Sequence, residues 1–237
     1  MIEAIIPVRA GSRRLKGKNT ALFGGTSLLA NKIRQLKRSN KIDSILVSSD
    51  STMMLEIAEG EGARTHLRSP EYADDVLGKG LSETIGHIAS QSEAETLVWA
   101  QATSPLVDER IFDEAVELYF RGLESGYDSL VTQTKLSEFL WDEKGPLNYK
   151  PGSTHVPSQS LSGLSKMTFG VLIASRLNMI EWAYYHGPNP FRMMLGKREA
   201  SDIDDLLDLT AARAWLDLSH DLASEIVPFD SNSETQD

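Results

Sequence analysis

The sequence predicts an α/β protein built on a mostly parallel, doubly wound sheet with helices on both faces. Three observations carry this. Short apolar runs alternate with helical patterns through most of the first 134 residues, the rhythm of consecutive βαβ units. The runs are rich in β-branched residues and show little polar alternation, as strands buried on both faces do. Polar segments follow three of the runs, at residues 9–19, 49–51 and 101–104. In a parallel sheet these share the carboxyl edge, where ligands bind at a switch in strand order.

The elements follow in order. Residues 2–8 read as a buried strand interrupted only by Glu3. Residues 28–39 carry Leu28, Leu29, Ile33 and Leu36 as a helical stripe. Residues 45–48 form a second strand, ending at Asp50, and residues 52–59 a helix stopped by Gly60 and Gly62. A helix is expected over 80–90 and a strand over 96–100, running into the turn Gln101-Ala102-Thr103-Ser104-Pro105. An amphipathic helix spans 109–123 with Gly126 just beyond, and a strand spans 129–134. Residues 148–165, rich in Ser, Pro and Gly, read as a long loop or an excursion from the sheet. A strand at 168–174 and a helix at 205–219 complete the pattern. One domain is expected over 1–228, with a disordered polar tail at 229–237.

Composition narrows the function. The chain has 237 residues, 41% hydrophobic and 24% charged, enough for a sizeable core without staples. It has no cysteine, which excludes disulfides, Cys-ligated metals and a thiol nucleophile, and fits a cytoplasmic protein. No apolar run is long enough to cross a membrane. The opening Met1-Ile2-Glu3-Ala4-Ile5-Ile6 has no basic n-region or cleavage site, so no signal peptide is expected. A net charge of −10 argues against nucleic acid as a partner. Yet residues 1–41 hold ten Lys and Arg against the single acid Glu3, which suggests a focused anion site. The basic residues from Lys32 to Lys41 read as a solvated helix face. Those from Arg9 to Lys18 have no helical period to explain them.

Three segments carry chemistry. The first is Arg9-Ala10-Gly11-Ser12-Arg13-Arg14-Leu15-Lys16-Gly17-Lys18-Asn19, a basic loop between a buried strand and a helix. Small residues there allow close backbone approach, and Arg and Lys give charge-assisted bonds to phosphate oxygens. It departs from G-x-x-x-x-G-K-[ST], being one residue too long, and from G-x-G-x-x-G. The second is Ser201-Asp202-Ile203-Asp204-Asp205. Carboxylates at i and i+2 of an extended segment face the same way and could hold one hard cation such as Mg²⁺ or Mn²⁺. Alternatively, Asp204 or Asp205 caps the following helix. The third is the strand end Gln101 to Ser104, which puts hydrogen bonders at the sheet edge or simply caps a turn. The five histidines lack metal-ligand spacing, and Trp182, Tyr184, Tyr185, Met193 and Met194 read as packing.

Together these segments resemble the acylneuraminate cytidylyltransferases, the CMP-sialic acid synthetase family. The family's opening motif Arg-x-Gly-Ser-Lys-x-x-x-x-Lys-Asn is matched by Arg9, Gly11, Ser12, Lys18 and Asn19, with Arg13 for its first Lys. Val47-Ser48-Ser49-Asp50 is similar to its strand ending in Ser-Thr-Asp, and Arg68, Pro70, Glu71 and Asp75 to its Arg-Pro-x-Glu segment. Gln101, Thr103, Ser104 and Pro105 match its Gln-x-Thr-Ser-Pro, Gly126-Tyr127-Asp128-Ser129 fits its next strand, and Asp202-Ile203-Asp204 matches its metal motif.

The resemblance spans roughly residues 1–216 and implies a Rossmann-like nucleotide-diphospho-sugar transferase fold. It implies transfer of CMP from CTP to the anomeric hydroxyl of an acidic sugar, releasing pyrophosphate. It implies that Arg9, Ala10, Gly11, Ser12, Arg13, Lys18, Asn19 and Arg68 bind the nucleotide, and that Arg9 and Lys18 act in catalysis with Asp202 and Asp204, the ligands of Mg²⁺ or Mn²⁺. The sugar falls to Gln101, Thr103, Ser104, Gln159 and Lys166, and an excursion through 148–174 makes a homodimer. The chain departs from the family in its sugar half: Ser158 stands at the place of an Arg, and Thr168-Phe169 at that of an Asn-Gly pair. That keeps a Kdo-like sugar or a phosphonate as alternative acceptors. A metal-dependent glycosyltransferase would also use Asp-x-Asp, but after a middle strand rather than at 202–204. A non-catalytic binding protein would have less reason to keep Arg9, Lys18, Asp202 and Asp204.

Overall fold

The computed structural model describes residues 1–12, 14–73, 78–152, 155–161 and 163–217. The main-chain order is β1 (Ile2–Pro7), the hairpin β2 (Leu22–Phe23) and β3 (Thr26–Ser27), α1 (Leu28–Arg38), β4 (Ser44–Ser49), α2 (Thr52–Gly60), β5 (Arg64–Leu67) and α3 (Gly80–Ser90). Then come β6 (Thr96–Trp99), α4 (Glu109–Glu124), β7 (Ser129–Lys135), and a small hairpin of β8 (Trp141–Asp142) and β9 (Gly145–Pro146). The chain ends its described part with β10 (Ser165–Ser175), α5 (Arg176–Trp182), β11 (Pro190–Met194) and α6 (Leu206–Asp217). Seven strands form one sheet in the order β11-β7-β10-β6-β1-β4-β5. Only β10 runs against the rest, antiparallel to both β6 and β7. The predicted parallel, doubly wound sheet is what forms.

Alternation along β1 builds the two halves of the core. Ala4, Ile6 and Val8 pack on one face with Leu29, Ile33 and Leu36 of α1 and with Phe112, Ala115 and Val116 of α4. Ile5 faces the other way, toward Ile85 and Ile88 of α3 and Met179 of α5. Glu3, buried in the strand, is answered by Arg64 of β5 at 2.6 Å. A third cluster sits at the carboxyl edge and joins Phe23, Leu28, Leu106, Ile203, Leu209 and Ala212. It fixes the β2–β3 hairpin and α6 beside the strand ends. Side-chain caps start the helices: Ser27 for α1, Ser51 for α2, Asp108 for α4 and Ser175 for α5. Gly126, at φ +85°, follows α4 where expected.

Several elements had no visible pattern. β5 is an edge strand reading Arg-Thr-His-Leu, and β11, at the other edge, opens with proline. The residues after 174 form α5, only seven residues long. The expected strand at 168–174 starts earlier, at Ser165. Met193 is 5% exposed but Met194 53%, because adjacent strand residues face opposite ways. The expected long loop at 148–165 carries one 3₁₀ turn, Ser158–Ser160. Arg13, Asp75 and the expected tail at 229–237 lie outside the described residues. Among the described residues no helix is long and apolar enough to cross a membrane.

The reading of the basic residues from Lys32 to Lys41 as a solvated face holds for Arg34, Lys37, Arg38 and Lys41, all exposed, and fails at Lys32. Lys32 is 0% exposed, facing α4 and the turn before it. Burial pushes its pKa down to about 7, with Asp108 pulling the other way. The native pKa thus lies below the unfolded value of 10.5, so above about pH 7 the native chain holds fewer protons than the unfolded one. Stability from this group therefore rises with pH through that window. Urea melts should show wild type gaining up to ~1.4 kcal/mol per pH unit relative to Lys32→Met between those values. Parallel pH curves for the two proteins would contradict the burial.

Candidate functional site

β1 has β4 on one side and β6 on the other, so the chain reverses its direction of winding between β1 and β6. The crevice at the carboxyl ends of these two strands holds a cavity of about 410 Å³. Three segments distant in sequence meet there: the loop after β1, the turn after β6, and residues 202–204.

The loop after β1 is braced from both sides. The Ala10 amide donates to Asp50 Oδ1 at 2.9 Å, and the buried Asn19 donates through Nδ2 to the Arg9 carbonyl at 3.2 Å. Gly17 takes φ +65° and turns the chain into the 3₁₀ segment Lys18–Thr20, a conformation a side chain would strain. Arg9, Arg14, Lys18 and Asn19 line the cavity, and with Ser12 they line a second recess of about 260 Å³ beside it. Ala10 and Gly11 are exposed at the loop's crest. A Cβ at Gly11 would meet nothing within 4 Å, so only a ligand's close approach would call for glycine there. Arg68 is 6% exposed; its Nη2 donates to the Val8 carbonyl at 2.5 Å, and it also lines the cavity.

The turn after β6 alternates. Gln101 and Thr103 face the cavity, while Ala102 and Ser104 are buried behind them. Thr103 joins the third segment twice: its carbonyl accepts the Ile203 amide at 2.8 Å, and its hydroxyl bonds the Asp202 carboxylate. Ile203 is 0% exposed in the third cluster, so Asp202 and Asp204 turn to the cavity on either side of it. Asp204 Oδ1 lies 2.7 Å from Arg14 Nη2 and 3.3 Å from Lys18 Nζ. The helix cap is Asp205, whose Oδ1 accepts the amides of Leu207 and Asp208. That removes the capping explanation for Asp204.

Asp202 is held differently. Burial raises its pKa and Asp204 adds to this, against Thr103, Lys18 and Lys166. Its Oδ1 is buried with no hydrogen-bond partner. A carboxylate left short of a partner beside a second carboxylate suits a hard divalent cation. Among the described residues no cluster of three or more His, Cys, Asp or Glu is placed to hold a metal. An ion here would complete its shell with phosphate oxygens and water, as Mg²⁺ prefers.

The opposite end of the cavity is apolar, and little of it was foreseen. Trp99, Phe169 and Tyr185 meet there, with the Tyr185 ring edge-on to Trp99 at 5.1 Å and to Phe169 at 5.8 Å. Tyr185, read as packing, both packs and lines the site. Phe169 gets there through a register shift in β10 between Thr168 and Leu172. Thr132 fills that irregularity: its hydroxyl accepts from Thr168 Oγ1 at 2.7 Å and from the Val171 amide at 3.1 Å. Arg14 was also missed as a site residue. Lys166 is exposed on β10 and does not line the cavity, though its charge acts on Asp202. Gln159 is exposed and away from the cavity, its carbonyl accepting from Lys135 Nζ at 3.3 Å.

Comparison with known proteins bears on this geometry. The family model described as "Cytidylyltransferase" matches residues 3–145. N-acylneuraminate cytidylyltransferase A of Danio rerio is 33% identical over 159 residues, 63% of this chain and 36% of that protein. The N-acylneuraminate cytidylyltransferase of Escherichia coli O18:K1:H7 is 28% identical over 229 residues, 89% of this chain and 51% of that one. This chain thus spans about a third to a half of those two relatives. The pseudaminic acid cytidylyltransferase of Campylobacter jejuni serotype O:23/36 is 26% identical over 92% of this chain and 97% of its own. A solved CMP:2-keto-3-deoxy-manno-octonic acid synthetase complexed with CTP superimposes with TM-score 0.66 at 12% identity, covering 91% of this chain and 98% of that one. At that identity the likeness is one of fold.

Proposed function

The chain belongs to the cytidylyltransferase family, and on that premise we propose that it transfers CMP from CTP to the anomeric hydroxyl of an acidic sugar, an N-acylneuraminate or related nonulosonic acid. The observation that carries this is the division of one cavity: cations and paired carboxylates at one end, an aromatic wall at the other. The sugar oxygen forms a bond to the α-phosphorus, the bond to the pyrophosphate oxygen breaks, and the hydroxyl proton passes to water. Arg9, Arg14 and Lys18 neutralise the triphosphate, with the Gly11 amide at the loop crest; the Ala10 amide is held by Asp50 and the Ser12 amide by the Ala10 carbonyl, which fixes the loop's shape around it. Asn19 and Arg68 hold the nucleoside side. Gln101 and Thr103 orient the acceptor. Asp202 and Asp204 would hold Mg²⁺ (or Mn²⁺), which supplies charge neutralisation on the phosphates and acidifies the attacking hydroxyl. The rest is alignment of the reacting groups in line.

The test is a panel. CTP and Mg²⁺ are offered with N-acetylneuraminate, legionaminate, pseudaminate, Kdo and simple phosphonates, and pyrophosphate is measured. Turnover is expected with a nine-carbon acid and CTP. Faster turnover with ATP, GTP or UTP would refute the nucleotide assignment, and turnover with phosphonates alone would refute the sugar.

We also propose a cytoplasmic homodimer. The segment between β7 and β10 carries Trp141 at 64% and Leu147 at 55% exposure, with Phe139, Val156 and Leu164 also exposed. Such a cluster favours cover by a second copy. A standard interface would bury ~1,600 Å² in total. Light scattering at micromolar concentration should give twice 26.2 kDa, and a monomer mass would refute the dimer.

A further inference from the structure

One face of α1 grips the turn that follows β6. Lys32 Nζ donates to the carbonyls of Ser104 and Val107 at 2.9 and 2.8 Å. One turn along, Gln35 Nε2 donates to the Pro105 carbonyl at 2.7 Å, and Asn31 Nδ2 reaches the same oxygen at 3.3 Å. Lys32 is fully buried, with its ammonium 5.0 Å from the centre of the Phe112 ring. An ammonium in such a place is costly, and a methionine would fill the volume without that cost. What the lysine adds is a pair of N–H donors, kept by the amine in either protonation state, for carbonyls that no strand pairs. The turn it holds presents Gln101 and Thr103 to the cavity, and Thr103 in turn binds the Ile203 amide and the Asp202 carboxylate.

We infer that Lys32 is a positioning residue for the transfer reaction: by fixing the carbonyls of Ser104 and Val107 it sets Thr103, and through Thr103 the Asp202 carboxylate. The reaction it serves is the one proposed above. The placement stands on the bonds from Lys32 to the Ser104 and Val107 carbonyls and on those by which the adjoining Thr103 holds residues 202–203.

The test is Lys32→Met in the full chain, with melting temperature, steady-state kinetics and Mn²⁺ binding in the presence of CTP, read by electron paramagnetic resonance of free Mn²⁺. The variant should fold and keep KM for CTP within about threefold. Its kcat should fall on the order of tenfold to a hundredfold, the scale of a displaced reacting group. Half-saturating Mn²⁺ should rise about tenfold, the scale of losing an outer-shell support. A purely structural lysine would shift melting and leave Mn²⁺ binding alone. A folded Lys32→Met with kcat and Mn²⁺ half-saturation within twofold of wild type overturns the inference. If Lys32→Met does not fold, Gln35→Leu decides on the same two readouts, smaller shifts of the same sign being expected and unchanged values overturning it. Should wild type turn over no acid with CTP, the proposed reaction fails, while the Mn²⁺ titration still decides the placement.

Discussion

Asp202→Asn and Asp204→Asn should each slow pyrophosphate release on the order of 10²–10³-fold and shift the Mg²⁺ titration to higher concentration. An amide oxygen brings no formal charge to a divalent ion. The fold should tolerate both changes. Asp205, not Asp204, caps α6, and Ile203 keeps the segment in place from the opposite face. At Asp204 the change also weakens pairs with Arg14 and Lys18, whose side chains are 67% and 16% exposed. The Arg14 pair is exposed enough to contribute about 1 kcal/mol or less, and the Lys18 pair is the better shielded of the two. Melting temperature and metal-dependent rate are therefore read on the same proteins. A normal rate across the Mg²⁺ titration would remove both carboxylates from the site. A lost rate with a lost fold would make them structural.

Lys18→Ala should lose on the order of 10²–10³ in turnover, about 2.7–4 kcal/mol, with little change in melting temperature. Lys18 is the better shielded of the two cations on Asp204, and it opens the 3₁₀ turn that Gly17 begins. A fixed positive charge in that setting acts most strongly when negative charge builds on the departing pyrophosphate. Arg14→Ala, at the rim, should cost less. Wild-type turnover in a folded Lys18→Ala together with a crippled Arg14→Ala would exchange their roles.

What the sequence makes legible here follows from how local each signal is. β1, β4 and β6 are buried on both faces, so their composition announces them. β5 and β11 are edge strands with mixed composition and look like loops. The basic loop and the Asp-x-Asp pair are each contiguous, so spacing within each sets its own groups side by side, while only the fold brings the two segments together. The aromatic end is assembled otherwise. Trp99 comes from one strand, Tyr185 from the turn after α5, and Phe169 from a bulge whose filler, Thr132, lies in another strand. Nothing in a neighbourhood of ten residues encodes that meeting. Lys32 escaped for the same reason: its acceptors are main-chain carbonyls more than seventy residues away, which leave no mark in side-chain pattern.

The place of β10 has a consequence for synthesis and assembly of the chain. β6 and β7 follow one another in strand order along the chain, yet in the sheet β10 lies between them and pairs with both. As the polypeptide leaves the ribosome, β5, β4, β1 and β6 can pair as soon as they emerge. β7 cannot: both strands that flank it, β10 and β11, are made later. Until residue 175 has emerged, the nascent sheet keeps an open edge at β6, and the apolar start of β7 waits with its backbone unpaired. Such edges recruit other chains. A product halted at residue 145, where the family match ends, would keep the whole basic loop after β1 and still be prone to aggregate. The step that joins β7 to the rest of the sheet is thus the insertion of one antiparallel strand, and the same step delivers Phe169 to the cavity.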